Sequence, residues 1–116
     1  MIVRNEVKVE ENLSPEAVSP AIQKMIDENR LMIFMKGNSM MPQCGFSAQV
    51  IEIFKQLNAE FSTFNVLDNM SIREGVKAFS NWPTIPQVYF QGKFIGGCDI
   101  VTEMYQKGEL DALIKG

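Results

Sequence analysis

The sequence contains no histidine among its 116 residues. Without an imidazole, neither a Ser/His/Asp nor a Cys/His catalytic pair can be built, and a tetrahedral zinc site within one chain lacks two of its soft ligands. Cysteine is also scarce. Cys44 and Cys98 are the only two, which is no disulfide framework for a small secreted protein, so a reducing compartment is the expectation. Positive charge does not dominate either: eleven Lys and Arg stand against fourteen Asp and Glu, for a net charge of −3. With the basic residues scattered, no field exists to neutralise phosphates, and nucleic acid is not an expected partner. Long apolar runs are missing too. The longest, Leu31 to Met35, is far short of the roughly 20 residues a membrane span needs, and no membrane partner is expected. The N-terminus, with Glu6, Lys8, Glu10 and Glu11, is neither apolar like a signal peptide nor Arg-rich and acid-poor like a mitochondrial transit peptide. The expected location is the cytoplasm, or the mitochondrial matrix after loss of a presequence.

What is present suits one domain: 46% hydrophobic and 22% charged residues can enclose one ordinary core. Residues 1–13 alternate charged and apolar side chains without commitment and read as a flexible tail, leaving 14–116 as the domain. Ser14-Pro15 and Ser19-Pro20 each place a capping residue before a proline, and Val18, Ile22, Met25 and Ile26 share a face, predicting a helix to about Glu28. Leu31 to Met35 fits a strand covered on both faces. A turn-rich stretch from Lys36 to Gln43 leads to Cys44, after which Phe46, Val50, Ile51, Phe54 and Leu57 recur at helical spacing. Phe61 to Val66 alternates as a strand does, and Ser71-Ile72-Arg73-Glu74 reads as a capping box opening a helix to about Ser80. Gln87 to Phe90 and Lys93 to Ile95 are separated only by Gln91-Gly92, a hairpin signal. Asp99 reads as the N-cap of a last helix carrying Ile100, Val101, Met104 and Tyr105, with Gly108 ending it and Leu110, Leu113 and Ile114 adding a turn or two. The order helix, β-α-β, β-β-α predicts a thioredoxin-like α/β fold with a four-stranded mixed sheet between helices.

Chemistry concentrates around Cys44, which sits where a loop becomes a helix. A thiol there faces unpaired backbone N–H groups and the positive end of the helix dipole, so its thiolate is stabilised and its pKa falls below the free value of about 8.5. Lys36 in the same loop adds to that field, and the polar neighbours Gln43, Gly45 and Ser47 favour a reactive thiol over an inert core cysteine. Ser47 occupies the place of the second sulfur in a Cys-x-x-Cys pair; an oxygen there closes no disulfide, so a second thiol must be borrowed. Trp82-Pro83-Thr84-Ile85-Pro86-Gln87 sets two prolines before a strand, where they either cap an edge or hold a cis turn. Gly96-Gly97-Cys98-Asp99 opens a helix with exposed backbone and is fit to receive a carboxylate, or is a plain hairpin-to-helix turn. Met35, Met40 and Met41 carry soft sulfur near Cys44, but no spacing among them enforces coordination.

Together, Phe34-Met35-Lys36-Gly37, Pro42-Gln43-Cys44-Gly45-Phe46-Ser47, Trp82-Pro83-Thr84-Ile85-Pro86-Gln87 and Gly96-Gly97-Cys98-Asp99 resemble, in identity, order and separation, the CGFS-type monothiol glutaredoxins. The resemblance covers about Ala21 to Gly116. It implies a groove for glutathione or a glutathione conjugate, in which Lys36 and Arg73 pair with the glycine carboxylate. It implies a cis Pro86 that turns the backbone of Ile85 toward the cysteinyl unit, with Phe46 bordering the groove. It further implies that the N–H groups of Cys98 and Asp99 receive the γ-glutamyl carboxylate and the Asp99 side chain its ammonium, with Gly97 beside them among the cofactor-binding residues. Where family members commonly carry Thr-Pro and an acidic or polar pair, this chain has Asn38-Ser39-Met40-Met41, with the loop length of the CGFS type kept.

The same resemblance implies a [2Fe–2S] cluster with Cys44 as the metal ligand. Such a centre takes four thiolate-type ligands, which two Cys44 sulfurs and two glutathione sulfurs supply in a homodimer bridged by the cluster. Half of those ligands are then non-covalently bound, which suits a carrier that serves iron–sulfur assembly and acceptor proteins. Two other functions follow from the same residues. One is a glutathione-dependent oxidoreductase that deglutathionylates protein thiols through Cys44 as catalytic nucleophile, expected to be weak because the long loop shifts the bound tripeptide from ideal attack geometry. The other is a redox sensor in which Cys44 and Cys98 join on oxidation.

Overall fold

The computed structural model describes residues 2–116; Met1, at the start of the expected tail, lies outside them. The elements in chain order are β1 (Arg4–Glu6), α1 (Pro15–Glu28), β2 (Leu31–Met35), α2 (Gly45–Gln56), β3 (Phe61–Asn65), a 3₁₀ turn (Val66–Asp68), α3 (Met70–Ser80), β4 (Gln87–Phe90), β5 (Lys93–Gly96), α4 (Cys98–Gln106) and α5 (Glu109–Lys115). The sheet runs β1-β3-β2-β4-β5. Its first three strands are mutually parallel, and β4 and β5 are antiparallel to their neighbours. This is the thioredoxin-like mixed sheet with flanking helices, but it has five strands, not four.

The additional strand comes from the segment expected to be a tail. Arg4, Asn5 and Glu6 pair with Phe61, Ser62 and Thr63 at the sheet edge, and the Val7 N–H continues the ladder to the Thr63 carbonyl at 2.7 Å. Its side chains carry no apolar alternation, so the pairing leaves no sequence signal. Backbone hydrogen bonds hold it, aided by the Arg4 guanidinium 5.2 Å from the centre of the Phe61 ring. Beyond it, Val7, Val9 and Leu13 pack on the core.

The apolar run in β2 divides between two cores, because successive strand side chains point to opposite faces. Leu31, Ile33 and Met35 join Val50, Phe54, Val101 and Leu110 on one side. Met32 and Phe34 join Ile22, Ile26, Ile72 and Val76 on the other. Phe34 meets Phe64 and Tyr89 edge to face, with ring centres 6.3 and 5.7 Å apart. A fully buried side chain of this size stabilises by about 1.5–3 kcal/mol. No helix among the described residues is long and apolar enough to cross a membrane.

Helix starts differ in detail from expectation. Asn69, not Ser71, caps α3, its side-chain oxygen accepting the Ile72 N–H at 3.1 Å. Gly97 rather than Asp99 is the N-cap of α4, which places Asp99 within the first turn. The strand expected to run to Val66 ends at Asn65, since Val66 already begins the 3₁₀ turn. The hairpin turn is as expected, with positive φ at both Gln91 and Gly92.

Helices α1 and α3 approach closely at Gly75, where an added Cβ would collide with Val18 Cγ1 and lie 3.1 Å from Ile22 Cδ1. Replacing a mid-helix glycine by alanine ordinarily stabilises by about 1 kcal/mol. Here overpacking costs about 1–3 kcal/mol and wins, because the β-branched Val18 has little rotamer freedom to yield. Gly75→Ala is therefore expected to lower unfolding stability in urea by about 1 kcal/mol, and Val18→Ala in the same chain to recover most of that loss. A more stable single variant would contradict this packing.

Candidate functional site

The rim where the strands of the parallel half end and the helices begin collects the reactive groups. Cys44 is the N-cap residue of α2 and is half-buried. Its thiol is held below the ordinary thiol range, first by the Ser47 backbone N–H, then by the Phe46 N–H, the Lys36 ammonium and the Ser47 hydroxyl; partial burial opposes these. Ser47 itself is fully buried, and its hydroxyl oxygen accepts the Lys36 N–H at 3.1 Å. The oxygen at the place of a second sulfur thus ties the end of β2 to the first turn of α2.

Cys98 has the opposite environment. It is buried at the start of α4, near Thr102 Oγ1 at 3.9 Å, and burial pushes its thiol up, with the Asp99 charge adding to the rise. The two cysteines are therefore distinct: Cys44 is poised to ionise and Cys98 to stay protonated.

One cavity of about 420 Å³ brings together nine residues singled out from the sequence, Lys36, Cys44, Phe46, Arg73, Ile85, Pro86, Gly97, Cys98 and Asp99, while Ser47 does not line it. Lys36 comes from the end of β2, Cys44 and Phe46 from the start of α2, and Arg73 from α3. Ile85 and Pro86 come from the segment before β4, and Gly97 to Asp99 from the start of α4. The Ile85–Pro86 peptide bond is cis. Phe46 is 62% exposed, an apolar ring at the cavity mouth. The three methionines do not converge, since Met35 is buried in the core while Met40 and Met41 are exposed.

The cavity also holds residues that the sequence did not mark as ligand-binding: Lys77, Trp82, Pro83, Thr84 and Ile100. Lys77 lies one helical turn after Arg73, an i,i+4 spacing that was open to notice. The wall containing Trp82 and Thr84 depends on Gln87, which is wholly buried. Its side-chain amide donates to the carbonyls of Trp82 at 3.0 Å and Thr84 at 3.2 Å, while its oxygen accepts from the Tyr89 hydroxyl at 3.4 Å. Only this contact separates Gln87 from an ordinary first strand residue, and sequence does not display it.

Electrostatically, the lining offers three cations, Lys36, Arg73 and Lys77, and one acid, Asp99, beside the amide groups of a helix start. Arg73 Nε and Trp82 Nε1 are buried with no acceptor among the described residues. The arrangement suits a flexible molecule with carboxylates, an ammonium and a sulfur that can meet Cys44. Among the described residues there is no group of three or more His, Cys, Asp or Glu side chains that could hold a metal ion.

The glutaredoxin family model matches residues 31–95. A probable monothiol glutaredoxin 2 from Rickettsia typhi is 52% identical over 94 residues, 81% of this chain and 85% of the relative. An uncharacterized ycf64-like monothiol glutaredoxin from Synechocystis is 48% identical over 103 residues, covering 89% of this chain and 95% of that one. Among solved structures, reduced apo GrxS14 from poplar aligns with a TM-score of 0.73 at 45% identity, over 83% of this chain and 88% of that one. A buckwheat glutaredoxin–glutathione complex aligns with a TM-score of 0.77 at 28% identity, over 87% and 90% of the two chains. With one poised thiol, a serine where a second would stand, and relatives of this kind along most of its length, the chain belongs to the glutaredoxin family, in its monothiol branch.

Proposed function

We propose that this chain binds glutathione in the cavity beside Cys44 and, as a homodimer, carries a [2Fe–2S] cluster as cargo for iron–sulfur assembly and acceptor proteins. The observation that carries the reading is one half-buried, poised sulfur on a cavity lined by Lys36, Arg73, Lys77, Asp99 and the start of α4. Lys36 and Arg73 serve the glycine carboxylate, the backbone of Ile85 beside Pro86 the cysteinyl unit, and Gly97, Cys98 and Asp99 the γ-glutamyl end; Phe46 covers the mouth. The structure of a related protein with glutathione supports the choice of ligand. With Cys98 buried and protonated, each chain offers one sulfur, and a four-thiolate cluster requires two chains and two glutathiones. A conjugated glutathione fits the same groups as long as its termini are free.

Cys44 also supports a slower exchange reaction. Its thiolate attacks the glutathione sulfur of a mixed disulfide, the protein thiolate leaves, and a second glutathione thiolate then releases glutathione disulfide and restores Cys44. Sensing by a Cys44–Cys98 disulfide is the weaker reading, because burial and a raised pKa make Cys98 a poor attacking group.

Anaerobic incubation with iron, sulfide and glutathione is expected to give visible charge-transfer absorption that co-elutes with a dimer on a sizing column. Omitting glutathione or introducing Cys44→Ser should abolish both. An unchanged spectrum in Cys44→Ser would sink the carrier reading. On treatment with glutathione disulfide, intact-mass and peptide analysis should find one added glutathione, on Cys44, with Cys98 free; an internal disulfide as the main product would instead favour the sensor.

A further inference from the structure

The cations Lys36 and Arg73 reach the cavity on separate pieces of chain, and something must set the distance between them. Lys36 is followed by Gly37, whose φ is +87° and whose Cβ position would lie 2.5 Å from the Met41 carbonyl and 2.6 Å from the Gln43 nitrogen. The backbone there leaves no room for a side chain. Its Gly37 N–H donates to Asn65 Oδ1 at 2.9 Å. The same oxygen accepts the Leu67 N–H at 3.0 Å, inside the 3₁₀ turn that leads to α3. From that turn the connection to Arg73 is short and bonded throughout: Asn69 Oδ1 accepts the Ile72 N–H at 3.1 Å, and the Asn69 carbonyl accepts the Arg73 N–H at 3.0 Å. Asn65 Nδ2 adds a contact to Asp68 Oδ1 at 3.4 Å. Asn65 itself does not line the cavity.

We infer that Asn65 is a positioning residue for the carboxylate end of the ligand: one carboxamide oxygen, shared by the Gly37 and Leu67 amides, fixes the spacing at which the Lys36 ammonium and the Arg73 guanidinium meet a single carboxylate. A side chain that only capped the 3₁₀ turn would need the Leu67 bond alone. The second bond, to the loop of Lys36, couples two cation-bearing segments that are otherwise joined through β2 and β3. Two donors on one oxygen also constrain angle as well as distance, which matters for a bidentate guanidinium–carboxylate contact. The inference deepens the glutathione reading and rests on it.

The test compares reduced glutathione with γ-glutamylcysteine, which lacks the glycine carboxylate, using quenching of Trp82, the one tryptophan and a cavity-lining residue. The native chain should prefer glutathione by about tenfold, the scale of one charge-assisted pair. Asn65→Ala should reduce that preference to about threefold or less, with affinity for γ-glutamylcysteine unchanged. Asn65→Asp keeps the accepting oxygen and should restore the preference. Asn65→Ser, too short to span both amides, is the second loss variant should the alanine chain not fold. Equal affinity of the native chain for both ligands would overturn the carboxylate assignment and this inference with it. A native preference that Asn65→Ala and Asn65→Ser leave intact, or an equal weakening of both ligands, would overturn the role of Asn65 alone.

Discussion

Everything in this molecule is arranged around a sulfur at the start of a helix. The first turn of α2 leaves amide N–H groups without intrahelical partners, and those of Ser47 and Phe46 favour the ionised form of the Cys44 thiol. Four lines of packing hold that turn in place. Val50 and Phe54 anchor the helix in the core, the Ser47 hydroxyl accepts the Lys36 N–H, and the Gly37–Pro42 bridge closes the loop ahead of the cysteine. The Ala48 N–H bonds back to the Cys44 carbonyl. The cost of partly burying an ionised sulfur is offset by amide groups at the helix start.

The chain topology explains why the other functional groups gather at the same rim. Parallel strands joined by crossovers place successive strand ends and helix starts on one edge of the sheet. Lys36 and Cys44 follow β2, and Arg73 follows β3. β4 runs back from that rim antiparallel to β2, and the single reversal of the β4–β5 hairpin returns the chain to it at the start of α4. The Trp82–Pro86 wall is the one part not placed by regular structure, and the wholly buried Gln87 shapes it from beneath. Such a buried amide, with both its donors and its acceptor engaged, fixes a loop conformation as firmly as packing does.

Much of this was legible in the residues. The helical periodicity of Val18, Ile22, Met25 and Ile26 gave α1 to its last residue, and the five-residue apolar run marked β2 as buried on both faces. Cys44 at a loop-to-helix junction was readable from Pro42-Gln43-Cys44-Gly45 followed by a periodic segment. What escaped notice shares one physical character: it is held by backbone or by carboxamide hydrogen bonds that leave no hydropathy pattern. β1 is an edge ladder of Arg4, Asn5 and Glu6; the true cap of α3 is Asn69, two positions before the Ser71 that looked like one; and Gln87 resembled any polar residue beginning a strand. Proline alone does not choose its isomer, so the cis Ile85–Pro86 bond leaves no signal of its own in that segment.

The most direct measurement is the ultraviolet titration of thiolate absorbance in reduced protein carrying Cys98→Ser, so that a single sulfur reports, with the alkylation rate followed alongside. The folded thiol is held down, so the thiolate is complete above its midpoint and is lost as pH falls through it. The account predicts a midpoint clearly below the ordinary thiol value of about 8.5, with the alkylation rate tracking the same curve. A midpoint at or above that value in the folded protein would contradict it.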